Sequence, residues 1–362
     1  MEDSKKTNDL TFLASLCLYL AAVEYAIPKP LPFMRLGLAN LPILLSLELL
    51  SAPGVFLLVA LKIILQAFIS GTLFSYIFVF STAGSVAAAL GMQAVYQADK
   101  IFQKKFKKNL TSFTGISITG AFFNNIAQIT CSRFILFGEN TKYIAPVLLL
   151  TGLATGTALG LFCSAFAEKS RWYKMRLQNK GYFPLQKEER LPSLTKRRDA
   201  FALTKFVVCL VSLVIFFQIK DLKLLWGTVA FFFIADEILK KGRVKLLPSF
   251  VIVLSVTIFS LLSPFGKVLF SINNWKITED ALKAGLFKSG ILLGMVFISQ
   301  CSVDKNLHIP GKLGKFIAEV FKYFDKLSSF QTFQKLKFQK GNFINSIDLL
   351  LCRIYNGEQN EL

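Results

Sequence analysis

The sequence predicts an all-α protein that crosses a membrane many times, and three observations carry that prediction. Of 362 residues, 53% are hydrophobic and only 18% are charged. Mean hydropathy is +0.52. The apolar residues are also gathered into about ten runs, most of them near the roughly 20 residues that a helix needs to cross a hydrocarbon core. The first two observations exclude a water-soluble enzyme. The third selects helices, because backbone groups in lipid must find their hydrogen bonds within their own segment.

Taken in order, the runs lie near 10–27, 36–50, 55–69, 73–96, 113–137, 143–166, 201–217, 222–239, 246–262 and 281–301. Residues 1–8 mix acids with lysines and no small-residue cleavage site follows, so the first run is expected to stay as a span and not leave as a targeting peptide. The second and third runs are short and tightly joined, which predicts tilted or partly re-entrant segments. Forty-two Lys and Arg against 22 Asp and Glu leave a charge of +20. Basic residues collect on the cytoplasmic side of short loops. Counting spans in pairs from Lys5 and Lys6 puts the Lys100–Lys108 cluster, the 169–198 stretch, the Lys240–Lys245 group and the tail from Lys305 on one face. Both termini are then cytoplasmic, in a bacterial inner membrane, and the positive excess faces anionic lipid. No basic stretch is interleaved with a base-stacking motif, so nucleic acid is not an expected partner.

Residues 169–200 are charged, contain Gln and Pro and lack a long apolar run, which reads as a basic cytoplasmic linker. They divide a six-helix unit (1–168) from a four-helix unit (201–302), and a basic helical tail follows (303–362). The first unit is rich in small residues such as Gly84, Gly120, Gly152, Gly156 and Gly160, which let helices approach closely. The second is richer in Phe and Lys. In the tail an amphipathic helix is expected over Leu313–Leu327.

Little catalytic chemistry is available to this chain. A single histidine, His308, rules out multi-His metal sites and His-based triads. Cys17, Cys131, Cys163, Cys209, Cys301 and Cys352 form no CxxC pair and read as small buried apolar residues. No DDxxD segment supplies carboxylates for Mg²⁺ and diphosphate, and no GxxxxGKS/T loop cradles a nucleotide. The expectation is a protein that is not an enzyme, with no metal site and no cofactor indicated.

Polar side chains inside spans cost a few kcal/mol each when unpaired and should face the bundle interior. Glu24 lies near the outer end of the first run, and Arg35 and Asn40 open the second in the segment MRLGLAN. Lys62 and Gln66 are one turn apart in the third. Asn124, Asn125 and Gln128 share a face of the fifth, with Arg133 below. Two arrangements satisfy these residues. In one, Glu24, Arg35, Asn40, Gln66, Asn124, Asn125 and Gln128 line a small-molecule site near the outer leaflet. There Arg35 meets an anionic or carbonyl group and the amides fix orientation. In the other, Glu24 bridges Arg35 and the amides staple helices together. Lys62 can snorkel to an interface. Asp236 and Glu237, beside Lys240 and Lys241, read as a solvated ion-pair cluster.

The run RLGLANLPILL from Arg35, the Gly71 turn, the stretch FSTAGSVAAALGM from Phe80 and SITGAFFNNIAQ from Ser117 together resemble the Gx transporter family, whose members are often labelled heptaprenyl diphosphate synthase component I. The resemblance covers about Leu10 to Lys169. It implies a six-helix build similar to the substrate-binding S components of energy-coupling factor transporters, and an association with flavin- and quinone-linked electron transfer. From Phe265 through WKITEDAL to IPGKLGK, the second half resembles the late part of a T component, the scaffold that docks on ATPase subunits. No Ala-Arg-Gly-like ATPase element occurs between Val303 and Leu362. The resemblance implies a membrane transport protein that binds a vitamin, a flavin or an isoprenoid- or quinone-like molecule, with an ATPase or other membrane subunits as energising partners. The alternative it leaves open is a non-catalytic membrane subunit of an electron-transfer or prenyl diphosphate synthase system.

Overall fold

A computed structural model describes residues 2–27, 34–108, 110–178, 196–240, 246–272, 275–302, 311–328 and 343–356. Every apolar run falls on a helix. In the first half these are α1 (Glu2–Ala26), a 3₁₀ turn at Leu38–Asn40 leading into α2 (Leu41–Leu49), α3 (Ala52–Ser70), α4 (Tyr76–Phe106), α5 (Phe113–Ser132) and α6 (Thr141–Lys169). A short α7 (Arg171–Leu177) follows, then α8 (Lys196–Phe217), α9 (Leu222–Lys240), α10 (Leu246–Leu261) and α11 (Glu279–Ser302). The tail supplies α12 (Gly311–Ser328), over the amphipathic stretch expected there, and α13 (Phe343–Asn356). Among the described residues the departure from an all-α fold is one antiparallel hairpin, β1 (Val268–Ile272) with β2 (Trp275–Thr278).

The chain is a multi-pass, membrane-type helical protein. Among the described residues four helical stretches are long and apolar enough to cross a bilayer: Ala52–Ser70, Tyr76–Phe106, Phe113–Lys169 and Glu279–Cys301. The third contains both α5 and α6, which a π turn at Arg133–Phe137 and a 3₁₀ turn at Gly138–Asn140 join without a break. Leu38–Leu49 is a shorter apolar helical piece, as expected for the second run. Its α2 has nine residues, about 14 Å of rise, which is half a hydrocarbon core. Residues 34–37, ahead of the 3₁₀ turn, have no regular structure.

Local chemistry explains these boundaries. Pro42 and Pro53 sit in the first turns of α2 and α3, where the missing N–H leaves no bond unmade. Gly71 closes α3 at φ 65°, a conformation that favours glycine. Gly37, at φ 86°, does the same for the entry to the 3₁₀ turn.

Helices α4, α5 and α6 pack along seams of small residues. A Cβ added to Gly160 would stand 2.5 Å from Thr114 Cα, and one on Gly156 would stand 2.9 Å from Ala121 Cβ. The pairing of 160 with 114 and 156 with 121 shows that α5 and α6 run antiparallel. Two apolar cores result. One gathers Phe12, Leu44, Leu58, Ala88 and Cys163 of the first unit with Trp172 of α7 and Val320 and Tyr323 of α12. The other joins Tyr76, Phe80 and Leu148 to Phe216, Leu225, Val256 and Phe297 of the second unit.

The tail is therefore packed onto the first unit. Asp348 of α13 accepts from the Ser170 hydroxyl and from the N–H groups of Arg171, at 3.0 Å, and Trp172, at 3.1 Å. Asp9 pairs with Arg176 and accepts from the Tyr355 hydroxyl at 3.0 Å. The Tyr173 hydroxyl donates to Glu48, at the C-terminal end of α2, at 2.7 Å. Burial, with Glu48 beside it, pushes that phenol well above its ordinary pKa and keeps it a neutral donor. The described parts of the N- and C-terminal helices thus meet at one end of the bundle.

The opposite end carries a junction between the two units. Phe74 N–H donates to Ser299 Oγ at 3.0 Å, and Gln300 lies over Gly71. Because α3 runs from the Glu48 end to Gly71, the C-terminal end of α11 lies away from the Asp9 clasp. The Lys305 cluster that follows α11 lies outside the described residues.

Candidate functional site

The irregular segment 34–40 runs through the interior of the first unit, between α1, α3, α4, α5 and α6, and two adjoining cavities open against it. Arg35, Gly37, Asn40 and Asn124 line both. The first cavity continues between Leu41, Leu44, Met92 and Leu159 and the small residues of the α5–α6 seam. The second is polar, walled by Glu24, Lys62, Gln66, Ser81 and Ser85. Free space for a water-sized guest is about 20 Å³ in the first and about 10 Å³ in the second, room for a single water at most in each. A larger guest requires the 34–40 segment to move.

Of the seven residues expected at a site, six line these cavities: Glu24, Arg35, Asn40, Gln66, Asn124 and Asn125. Glu24 is 2% exposed, and its carboxylate accepts the N–H of Leu36 at 2.9 Å, which pins the start of the irregular segment. The Glu24 and Arg35 charges lie near enough to attract one another, as the bridging alternative asks, while both side chains also border the polar cavity. Asn124 is buried over Gly84, and no hydrogen bond to its amide is seen among the described residues. Asn125 does part of what the stapling alternative asks: its Nδ2 donates to Leu148 O at 2.6 Å, tying α5 to α6, while the side chain borders the first cavity.

Gln128 is the exception. It is 0% exposed, neither of its amide atoms has a hydrogen-bond partner, and it lines neither cavity. One turn beyond Asn124, it points into the α4–α5 contact beside Gly84. Arg133 also lies elsewhere, exposed and paired with Glu139 at 2.6 Å. Asp236, expected in a solvated cluster, is only 9% exposed, and the Lys240 and Lys241 side chains expected beside it fall outside the description.

Sequence reasoning undervalued Lys62. It does not snorkel: it is 4% exposed, its ammonium donates to Asn40 Oδ1 at 2.6 Å and Ser85 Oγ at 3.2 Å, and it holds the 3₁₀ turn to α3 and α4. The signal was present, since Lys62 lies ten residues into a 19-residue apolar helix, about 15 Å from its start and beyond the reach of a lysine stem. Ser81 and Ser85, four apart on α4, share one helix face and were also missed.

The arrangement can bind and orient a guest through buried amides, hydroxyls and two cations. No disulfide joins any of the six cysteines, and no group of three or more His, Cys, Asp or Glu able to hold a metal occurs among the described residues.

Comparison with known proteins bears on each half separately. Residues 202–304 match a domain of unknown function (DUF8519). No curated protein and no solved structure matches the chain. The family resemblance read from the sequence is met where the cavities form: residues 13–166, which contain all seven candidate residues, match the family described as heptaprenyl diphosphate synthase component I.

Proposed function

We propose that the protein is a non-catalytic membrane carrier that binds a small molecule in the cavity beside residues 34–40 and passes it across the bilayer with the help of separate energising subunits. The observation that carries this reading is the interrupted second run. Non-helical backbone within a membrane bundle is tolerated where it lines a cavity, and half-helices of this kind form midplane substrate sites in transporters. Here the interruption is held by Glu24 at one edge and Lys62 at the other, and it forms the common wall of both cavities. The six-helix S-component-like build and the T-like second unit implied by the resemblance agree with a binding unit joined to a scaffold.

The test is mass spectrometry of small molecules extracted from the purified full chain, followed by uptake of the molecule found into proteoliposomes. Arg35→Ala and Asn124→Ala are expected to lower its retention by about tenfold each, the scale of one lost buried hydrogen bond. Unchanged binding and uptake in both variants, at normal expression, would remove the cavity from the mechanism. The family description favours a second reading, a membrane subunit of a prenyl diphosphate synthase system. Co-purification of a soluble synthase with the intact chain, without release of a bound molecule across the membrane, would favour it.

A further inference from the structure

We infer that the guest of this cavity is an amphiphile with an anionic head, seated with the head on Lys62 and Arg35 and the apolar part toward the α5–α6 seam. The inference deepens the binding reading given above and rests on it. Its first support is charge. Two cations line the polar cavity and a single carboxylate, Glu24, faces them. The partners of the Lys62 ammonium are the neutral oxygens of Asn40 and Ser85. Glu24 alone offsets two buried cations, so the cavity keeps a net positive charge that is costly in a membrane interior, and an incoming anion relieves that cost where a neutral or cationic guest does not.

The second support is the shape of the void. The polar cavity, walled by Glu24, Lys62, Ser81 and Ser85, shares Arg35, Asn40 and Asn124 with a more apolar cavity, lined by Leu41, Leu44, Met92 and Leu159 along with Ser117, Asn125 and Thr155. The apolar surface is concentrated on one of the two adjoining cavities. Asn124 at their junction is 6% exposed and has a free amide to offer a head group.

The experiment uses the full chain in phosphatidylcholine nanodiscs and follows its thermal unfolding midpoint during titration with hexyl phosphate, hexanol or hexylammonium. Hexyl phosphate should raise the midpoint saturably, and inorganic phosphate should compete with it. Lys62→Met, which keeps most of the side-chain volume, should weaken hexyl phosphate binding about tenfold or more, the worth of one charge-assisted bond. Lys62→Arg should restore most of it. Should Lys62→Met fail to fold, the preference of the unaltered protein for hexyl phosphate over hexanol and hexylammonium, with the phosphate competition, decides the question. Equal or tighter saturable binding of hexanol or hexylammonium, lost in Asn124→Leu, would overturn the anion assignment and leave the cavity as a binding site. So would hexyl phosphate binding that Lys62→Met leaves unchanged. Absence of saturable binding by all three probes would overturn both readings.

Discussion

The seam between α5 and α6 builds one wall of the cavity, and Gly160→Ala tests whether that seam is as tight as described. The added Cβ would stand 2.5 Å from Thr114 Cα and 3.2 Å from Phe113 O, whereas ordinary contacts of a Cβ begin near 3.4 Å. The obstructing atoms are backbone, so no rotamer change relieves them and the helices must part by about 1 Å. Overpacking of this kind costs about 1–3 kcal/mol. Exchanging glycine for alanine inside a helix returns about 1 kcal/mol through propensity, leaving a net loss of about 0–2 kcal/mol against the unaltered chain and about 1–3 kcal/mol against an alanine that meets no obstruction. Gly227→Ala is the control, because nothing lies within 4 Å of its added Cβ and only the propensity gain remains. Thermal unfolding in a mild detergent should therefore order the proteins with Gly227→Ala at or above the unaltered chain and Gly160→Ala below Gly227→Ala. A Gly160→Ala protein as stable as the Gly227→Ala one would show that α5 and α6 do not meet at this point, and the cavity built on their contact would be lost with it.

Two further outcomes follow from the ends of the bundle. Asp348→Ala removes the acceptor shared by Ser170, Arg171 and Trp172 and should cost about 1–3 kcal/mol, seen as faster amide exchange across α7 and α13 with α5 and α6 unchanged; equal exchange in both proteins would refute the clasp. Gly71→Ala places a side chain at φ 65° and within 3.3 Å of Gln300 Cα. It should lower the unfolding midpoint by the equivalent of about 1–2 kcal/mol, and an unchanged midpoint would refute the close approach of α11 to the α3–α4 turn.

What the sequence determined by itself was the class of molecule and the cast of polar residues. Apolar run length is a local property, and it located α1 to α6 and α8 to α11, because a backbone without water satisfies its hydrogen bonds within the segment, while α7 formed inside the stretch read as a linker. The same reasoning, that a polar group in a span must turn inward, selected Glu24, Arg35, Asn40, Gln66, Asn124 and Asn125, which do converge. Tertiary structure decided what run length does not encode. The second run reads as a short span, yet it forms a half-length α2 after an irregular entry, because Glu24 and Lys62 supply the hydrogen bonds that its unwound backbone and Asn40 need. Gln128 shares the face of Asn124 by helical spacing but ends in the α4–α5 contact, since a glycine at position 84 draws α4 close to α5 at that level. The meeting of α11 with the α3–α4 turn, and of Asp348 with the start of α7, joins residues more than 170 positions apart. Pairings at that separation depend on which surfaces fit and bury each other, and no periodicity or charge count along the chain carries that information.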